Sequence, residues 1–599
     1  MARSRRPARG NGNRRGQSPA PPAAPPSPYG VPDDVQGLPA HREPGPGPGP
    51  GREPPGRRRR AGRARLTPRQ VVAGSLLAGG SLAGAGYLSA RDGGRTELDP
   101  GLSGGRTAST GQPLEGLRPD GAAAWAPSAA ALRVPGDLQV EHLLNRITYG
   151  PTDELRAEVR RTGAAAWLAG QFAPGRLADP GGDAVGALFP HLGLTTADAR
   201  RAVPDGTALQ RELAAAHLGR AVWSNRQLLE VMVDLWSNHF TIACPSTKAA
   251  HTRHRFDADV IRPGALGSFE AMLQAAAVHP AMLAHFDADT SSADHPNENY
   301  ARELLEAHTV GTAAGFTEQD VRQTALLFTG FQARDGVSWY VPGRHHVGRI
   351  QVLGFTHPND SASGGRTAVR EFLSYLARHR ATADALARKL AVRFVSDSPP
   401  DALVQRLAQT YLRNATAIAP VLSALFTSAE FAGSAGAKQR RPMERLAAVA
   451  RTLGLAPGHD QRGLLDLAAM LDAAGHAPLG SPLTGGYPDV ASAWRSPAVA
   501  LAGFNSTAQL VHGWWPRTLV NPGPAKLLRT QPGTRAAAVE AVAYRVLGRP
   551  PTASERAAAE KLLADTLLPS RLTRGSWEQR ETIGLISTLL LCSPTAVSR

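Results

Sequence analysis

The stretch PNENYARELLEAHTVG, residues 296–311, crowds Glu298, Asn299, Arg302, Glu303, Glu306 and His308 into about three turns of a prospective helix. Carboxylates and a guanidinium at that density suit three kinds of chemistry. Glu298, Arg302 and Glu306 stand at i, i+4 and i+8, so one face of a helix would carry an arginine between two carboxylates, the pattern of a solvated ion-pair stripe with Leu304 and Leu305 turned to the core. A second reading starts a turn earlier. Asp287, Asp289, Ser291 and Glu298 occupy positions 1, 3, 5 and 12 of an EF-hand-like loop, the oxygen spacing that a divalent cation such as calcium requires. Two positions depart from that pattern, because the loop glycine is Ser292 and the apolar eighth position is Asp294. In the third reading Asn297, Glu298, Asn299, Arg302 and Glu303 are buried, joining helices or lining a substrate cleft.

His239, in DLWSNHF, is either a core histidine bonded to a backbone carbonyl or an acid/base group that would complete a catalytic set with Glu298, Arg302 and Glu303. His251, His254, Asp257 and Asp259 in HTRHRFDAD have helical spacing that suits transition-metal ligands, and His345, His346 and His357 form a further histidine group. Thr317 and Asp320 in GFTEQDVRQTALLF read as a helix N-cap and its third-position partner. The chain carries no P-loop, no H-E-x-x-H and no dinucleotide fingerprint, so the common nucleotide-dependent enzymes lack their usual signals.

Helices must position these groups. DLQVEHLLNRI (137–147), NRQLLEVMVDLWSNHF (225–240), FEAMLQAAAV (269–278), ADALARKLAVRFV (383–395), DALVQRLAQTYL (401–412) and AAAEKLLADTLL (557–568) repeat apolar residues at three and four. Strand signals are confined to VSWYV and RIQVLGF, which flank PGRHHVG and predict one short hairpin. The expected fold is a mainly α, multi-helix globular domain over 137–597 with at most one hairpin.

Ahead of it stand a disordered basic Pro/Gly-rich tail (1–65), a hydrophobic segment (66–90) and a linker (91–136). Residues 71–90 carry no charge, and 20 residues just cover a bilayer core. The arginines before them predict a cytoplasmic N-terminus, with the remainder outside the cell membrane on an anchor, or secreted if the segment is cleaved as an export signal. The net charge of +17 invites a nucleic-acid partner, but residues 1–70 hold 15 Arg against 4 acids and account for most of it. The folded part therefore has no concentrated basic footprint, and no nucleic-acid partner is expected. Cys244 and Cys592 allow one disulfide at most and no zinc cluster.

HLLNRITYGPT, DLWSNHF, IRPGALGSFEAML, HPAML, PNENYARELLE, GFTEQDVRQTALLFTGF, LARKLAVRFV, FTSAEF, RRPMERLAA, PLGSPL, SAWRSPA and LLLCSP follow one another across about residues 138–595. In that order they resemble the bacterial family catalogued as domain of unknown function 1800. The resemblance implies an exported protein, often with a twin-arginine-type leader, whose gene tends to lie beside those of exported sulfatase-like proteins; it implies no activity. The family's usual His-Asp ahead of a glycine falls at His345, with His346 where the family has Asp. Two function classes follow: an interaction or assembly module at the bacterial cell surface, with a sulfatase-like partner, or a hydrolase-like or metal-dependent enzyme using Glu298, Arg302, Glu303 and His239.

Overall fold

The computed structural model of the chain describes residues 112–113, 125–136 and 138–599. The expected tail, the hydrophobic segment at 71–90 and most of the linker lie outside the described residues. Among those described, no helix is long and apolar enough to cross a membrane.

Helices follow one another from Val140 to Val597, as the periodicity predicts. α1 (Gly206–Trp223) and α2 (Gln227–His239) lie at the centre. In α2, Leu228, Val231, Met232, Leu235 and Trp236 are buried at helical spacing, and the Trp236 indole donates to the Ala265 carbonyl at 2.9 Å. α3 (Glu298–Glu306) starts at Asn297, whose side chain accepts the Tyr300 N–H. α4 (Glu318–Leu327) has the expected capping box, with Thr317 and Asp320 each bonding the other's backbone N–H.

α5 (Arg380–Phe394) buries Leu386, Leu390 and Phe394. α6 (Pro442–Leu453) opens on a proline whose fixed φ suits the first helical position, and it closes at Gly454 with φ +68°. α7 (Pro497–His512) packs against α6, and α8 (Trp577–Leu591) packs against α7.

The strands differ from the expected single hairpin. β1 (Gln112–Pro113), β2 (Phe331–Arg334) and β3 (Val337–Tyr340) form an antiparallel sheet in the order β1-β3-β2, and β4 (Ile350–Val352) pairs with β5 (Phe355–His357). VSWY and IQV thus belong to two hairpins, each pairing with its nearest neighbour in sequence. The cause is two-residue turns with both residues at positive φ: Asp335 at 52° with Gly336 at 81°, and Leu353 at 48° with Gly354 at 89°. Asp-Gly is a strong signal for such a turn. Leu-Gly is not, and Leu353 is held from outside: its N–H donates to Asp320 at 2.9 Å and its carbonyl accepts the Tyr375 hydroxyl.

Candidate functional site

α3 presents its polar residues outward. Arg302 donates to Glu318 of α4 at 3.0 Å and Arg322 of α4 pairs with Glu298 at 3.5 Å, while Tyr300, Ala301, Leu304 and Leu305 face the core. The ion pairs therefore run between two helices, and not along the i, i+4, i+8 stripe. Glu303 is half-buried; burial pushes its carboxyl up, while a hydrogen bond from Thr484 opposes that. Exposed pairs of this kind add little to stability. We expect Glu298→Gln to leave the melting temperature essentially unchanged by calorimetry.

Asp287, Asp289, Ser291 and Glu298 are not brought together as calcium ligands. Asp287 pairs with Lys248, Glu298 with Arg322, and the buried Ser291 hydroxyl accepts the Asn297 N–H at 3.2 Å. Asn297 also donates to the Phe286 carbonyl at 2.8 Å, so the loop is closed by hydrogen bonds from the helix cap. Among the described residues no three His, Cys, Asp or Glu side chains gather to hold a metal ion.

The other histidine groups are likewise engaged separately. His251 bonds the Val203 carbonyl and His254 the Leu194 carbonyl, both at 3.0 Å, while Asp257 pairs with Arg262. His345 bonds the Thr329 carbonyl and Asn359 Oδ1, both at 2.9 Å, and His346 meets Thr329 Oγ1 through its backbone N–H. Cys244 and Cys592 are free.

His239 has a different surrounding. It ends α2, is 3 % exposed, and its Nε2 lies 3.1 Å from the His308 carbonyl, which only a protonated Nε2 can satisfy. Nδ1 is then an acceptor, and Lys389 Nζ of α5 donates to it at 2.9 Å. Burial, then Lys389, then His308 hold the imidazole well below its ordinary pKa, so it stays neutral. Burial likewise lowers the Lys389 ammonium, to about 8, with only Asp489 pulling it back.

Lys389 lines a cavity of about 230 Å³ together with Leu235, Asn238, Val392, Arg393, Arg441, Tyr487 and Asp489. Asn238 fixes one wall, since its amide donates to the Tyr487 carbonyl at 2.7 Å and accepts the Tyr487 N–H at 2.6 Å. The double bond is a backbone-like clamp on the loop that carries Asp489.

Beneath the cavity lies a buried ion network built by α2, α5 and the start of α6. Glu444 is paired with Arg393, with Arg599 at 3.1 Å and with Arg441 at 3.5 Å, and it accepts the Arg441 N–H at 2.9 Å. Arg441 also holds Asp234, which sits 3.4 Å from His217 of α1. Burial pushes the Asp234 and Glu444 carboxyls up, but the arginines more than reverse it, and both end well below the carboxylate range.

Cations outnumber carboxylates here. Arg393 Nε and Nη2, Arg441 Nε, Arg146 Nε and Nη1 and Arg599 Nε are buried without a hydrogen-bond acceptor. Arg388 at the rim is paired with Asp401 at 2.8 Å. Lys389 is the cation of the cavity with no carboxylate in ion-pair range among the described residues, its hydrogen bond going to a neutral ring.

Of the residues singled out in sequence, only His239 reaches this centre. Lys389, Arg393, Arg441, Glu444 and Asp489 were not singled out. The available signal was Lys389 and Arg393 at i, i+4 inside an otherwise apolar helix, LARKLAVRFV. DLWSNHF, LARKLAVRFV and RRPMERLAA, three of the segments that carry the family resemblance, meet around the cavity. No curated protein and no solved structure matches the chain. The model of the family described as Protein of unknown function (DUF1800) matches residues 142–596, and the chain belongs to that family.

Proposed function

We propose that the chain is an exported binding module of the bacterial cell surface and that the cavity at Lys389 is where it holds an anionic group of its ligand. The observation that carries this reading is the unpaired Lys389 amine, set in a cavity among guanidiniums whose remaining N–H groups lack acceptors. A buried cation without a counter-ion is costly, and a bound anion removes that cost. The volume suits a small group such as a carboxylate, phosphate or sulfate. An exported sulfatase-like protein is the partner proposed with it, as the enzyme class that handles sulfate esters. The outward ion pairs of Glu298 and Arg302 favour binding over a hydrolase built on those residues with Glu303 and His239.

The test is thermal stabilisation of the purified chain by sulfate, with acetate and phosphate as companions. Sulfate also stabilises proteins generally by exclusion from their surface, so Lys389→Met is the reference. We expect saturable stabilisation of the unaltered protein, about 2.7 kcal/mol at a hundredfold excess over Kd, and only the non-saturable effect in Lys389→Met. Binding should be strong below pH 8 and fade above it, because the free amine loses its proton at about 8. Identical curves for the two proteins would refute the reading.

A further inference from the structure

A second, larger cavity lies on the other side of α6, and the chemistry of its lining differs from that of the Lys389 cavity. It encloses about 900 Å³ between α6, the turn at Trp494, α7 and the residues after α8. That is the upper end of the range for small-molecule sites, roughly 300–1,000 Å³, and far more than an inorganic anion fills. Leu446, Leu471, Trp494, Leu501 and Phe504 make its walls apolar, and Leu501 and Phe504 remain 38 % and 36 % exposed.

Set into those walls are Arg440 and Arg445, with Arg495 nearer the rim, and no aspartate or glutamate lines the cavity. None of the three has a carboxylate in ion-pair range among the described residues. Arg440 is 7 % exposed and donates only to neutral oxygens, the Ala596 carbonyl at 3.2 Å and the Asn145 side chain. Arg445 donates to the Cys592 sulfur at 3.1 Å, a weak acceptor, and its Nε is buried without any partner.

Guanidiniums lining an apolar chamber without counter-ions ask for a ligand that brings both features, an apolar body and one negative head. Arg440 and Arg441 are consecutive, yet Arg441 lines the Lys389 cavity and Arg440 this one, so the two sites share only the start of α6.

We propose that this cavity binds a single-chain amphiphilic anion, a fatty-acid-like carboxylate whose tail lies along Leu446, Trp494, Leu501 and Phe504 and whose head is held by Arg440 and Arg445. The site is separate from the Lys389 cavity and does not rest on it.

The test is calorimetric titration of the purified chain with dodecanoate below its micelle concentration, beside dodecanol and the dodecyltrimethylammonium cation. Dodecanoate should bind saturably at one site, with dodecanol and the cation weaker by about tenfold or more, since neither brings a carboxylate to accept charge-assisted hydrogen bonds from the guanidiniums. Arg445→Met should weaken dodecanoate to a similar degree. Leu501→Asp, at an exposed position that tolerates a polar side chain, places a like charge at the mouth and should do the same without depending on how Arg445→Met folds. No saturable dodecanoate binding, equal affinity for the cation, or unchanged affinity in Leu501→Asp would each overturn the proposal.

Discussion

Glu444→Gln should lower the unfolding free energy by about 3–5 kcal/mol, the loss found when one partner of a buried ion pair is removed. Glu444 is 2 % exposed and is shared by Arg393, Arg441 and Arg599, so the variant removes their common carboxylate, leaving Arg441 with Asp234 and Arg393 with Asp489 at 3.5 Å. Glutamine keeps the size and can still accept the Arg441 N–H, which isolates the charge. Urea unfolding of the two proteins measures the difference. Adding Arg393→Met to Glu444→Gln should recover part of the loss, because a buried charge that keeps only the longer contact to Asp489, at 3.5 Å, is then removed.

The pH dependence has a definite sign. The folded-state carboxyls of Glu444, Asp234 and Asp489 all lie below their ordinary values, so the unfolded chain takes up protons first. Their contribution is present above the ordinary carboxylate pKa of about 4 and is lost as pH falls towards the folded values. Glu444→Gln should flatten that acid limb. Equal stability and an equal acid limb in the two proteins would show that the network is not held by Glu444.

Gly486→Ala is expected to have the second large effect, on the binding function as well as on the fold. Gly486 has φ +81°, where a side chain is strained by about 1–3 kcal/mol, and an added Cβ would stand 2.0 Å from the Asn238 carbonyl oxygen. Neither backbone can yield cheaply, since Asn238 is clamped to Tyr487 by two hydrogen bonds. The loop must therefore move and take Tyr487 and Asp489 out of the cavity wall. The expected result is a lowered melting temperature together with loss of saturable sulfate stabilisation. A variant that melts lower but still binds sulfate normally would separate the loop from the site.

The helices were legible because burial on one face writes itself into local spacing: Leu386, Leu390 and Phe394 mark α5 as Leu228, Val231 and Leu235 mark α2. The capping box at Thr317 was legible for the same reason, its two partners being three residues apart. The hairpins depart from the expected single one at their turns. Asp335-Gly336 carries the signal of a two-residue turn, whereas Leu353-Gly354 owes its shape to Asp320 and Tyr375.

The candidate centre was legible only at His239. Its other members are united by contacts across large separations, 51 residues from Arg393 to Glu444, 150 from Lys389 to His239 and 207 from Arg441 to Asp234. No local pattern encodes such a meeting. The acidic stretch on α3 attracted the chemical reading because its charges are dense, but density on an amphipathic helix marks the wet face, and α4 supplies the partners.

The ionisation of Lys389 tests the account most directly. Competitive labelling of lysine amines over a pH series, with the Lys389 peptide resolved by mass spectrometry and compared with and without sulfate, follows this one group. The account predicts half-reaction near pH 8 in the free protein, a shift to higher pH with sulfate, and protection of the amine when the cavity is filled. A Lys389 amine that titrates like an ordinary surface lysine, or whose reactivity sulfate leaves untouched, would contradict it.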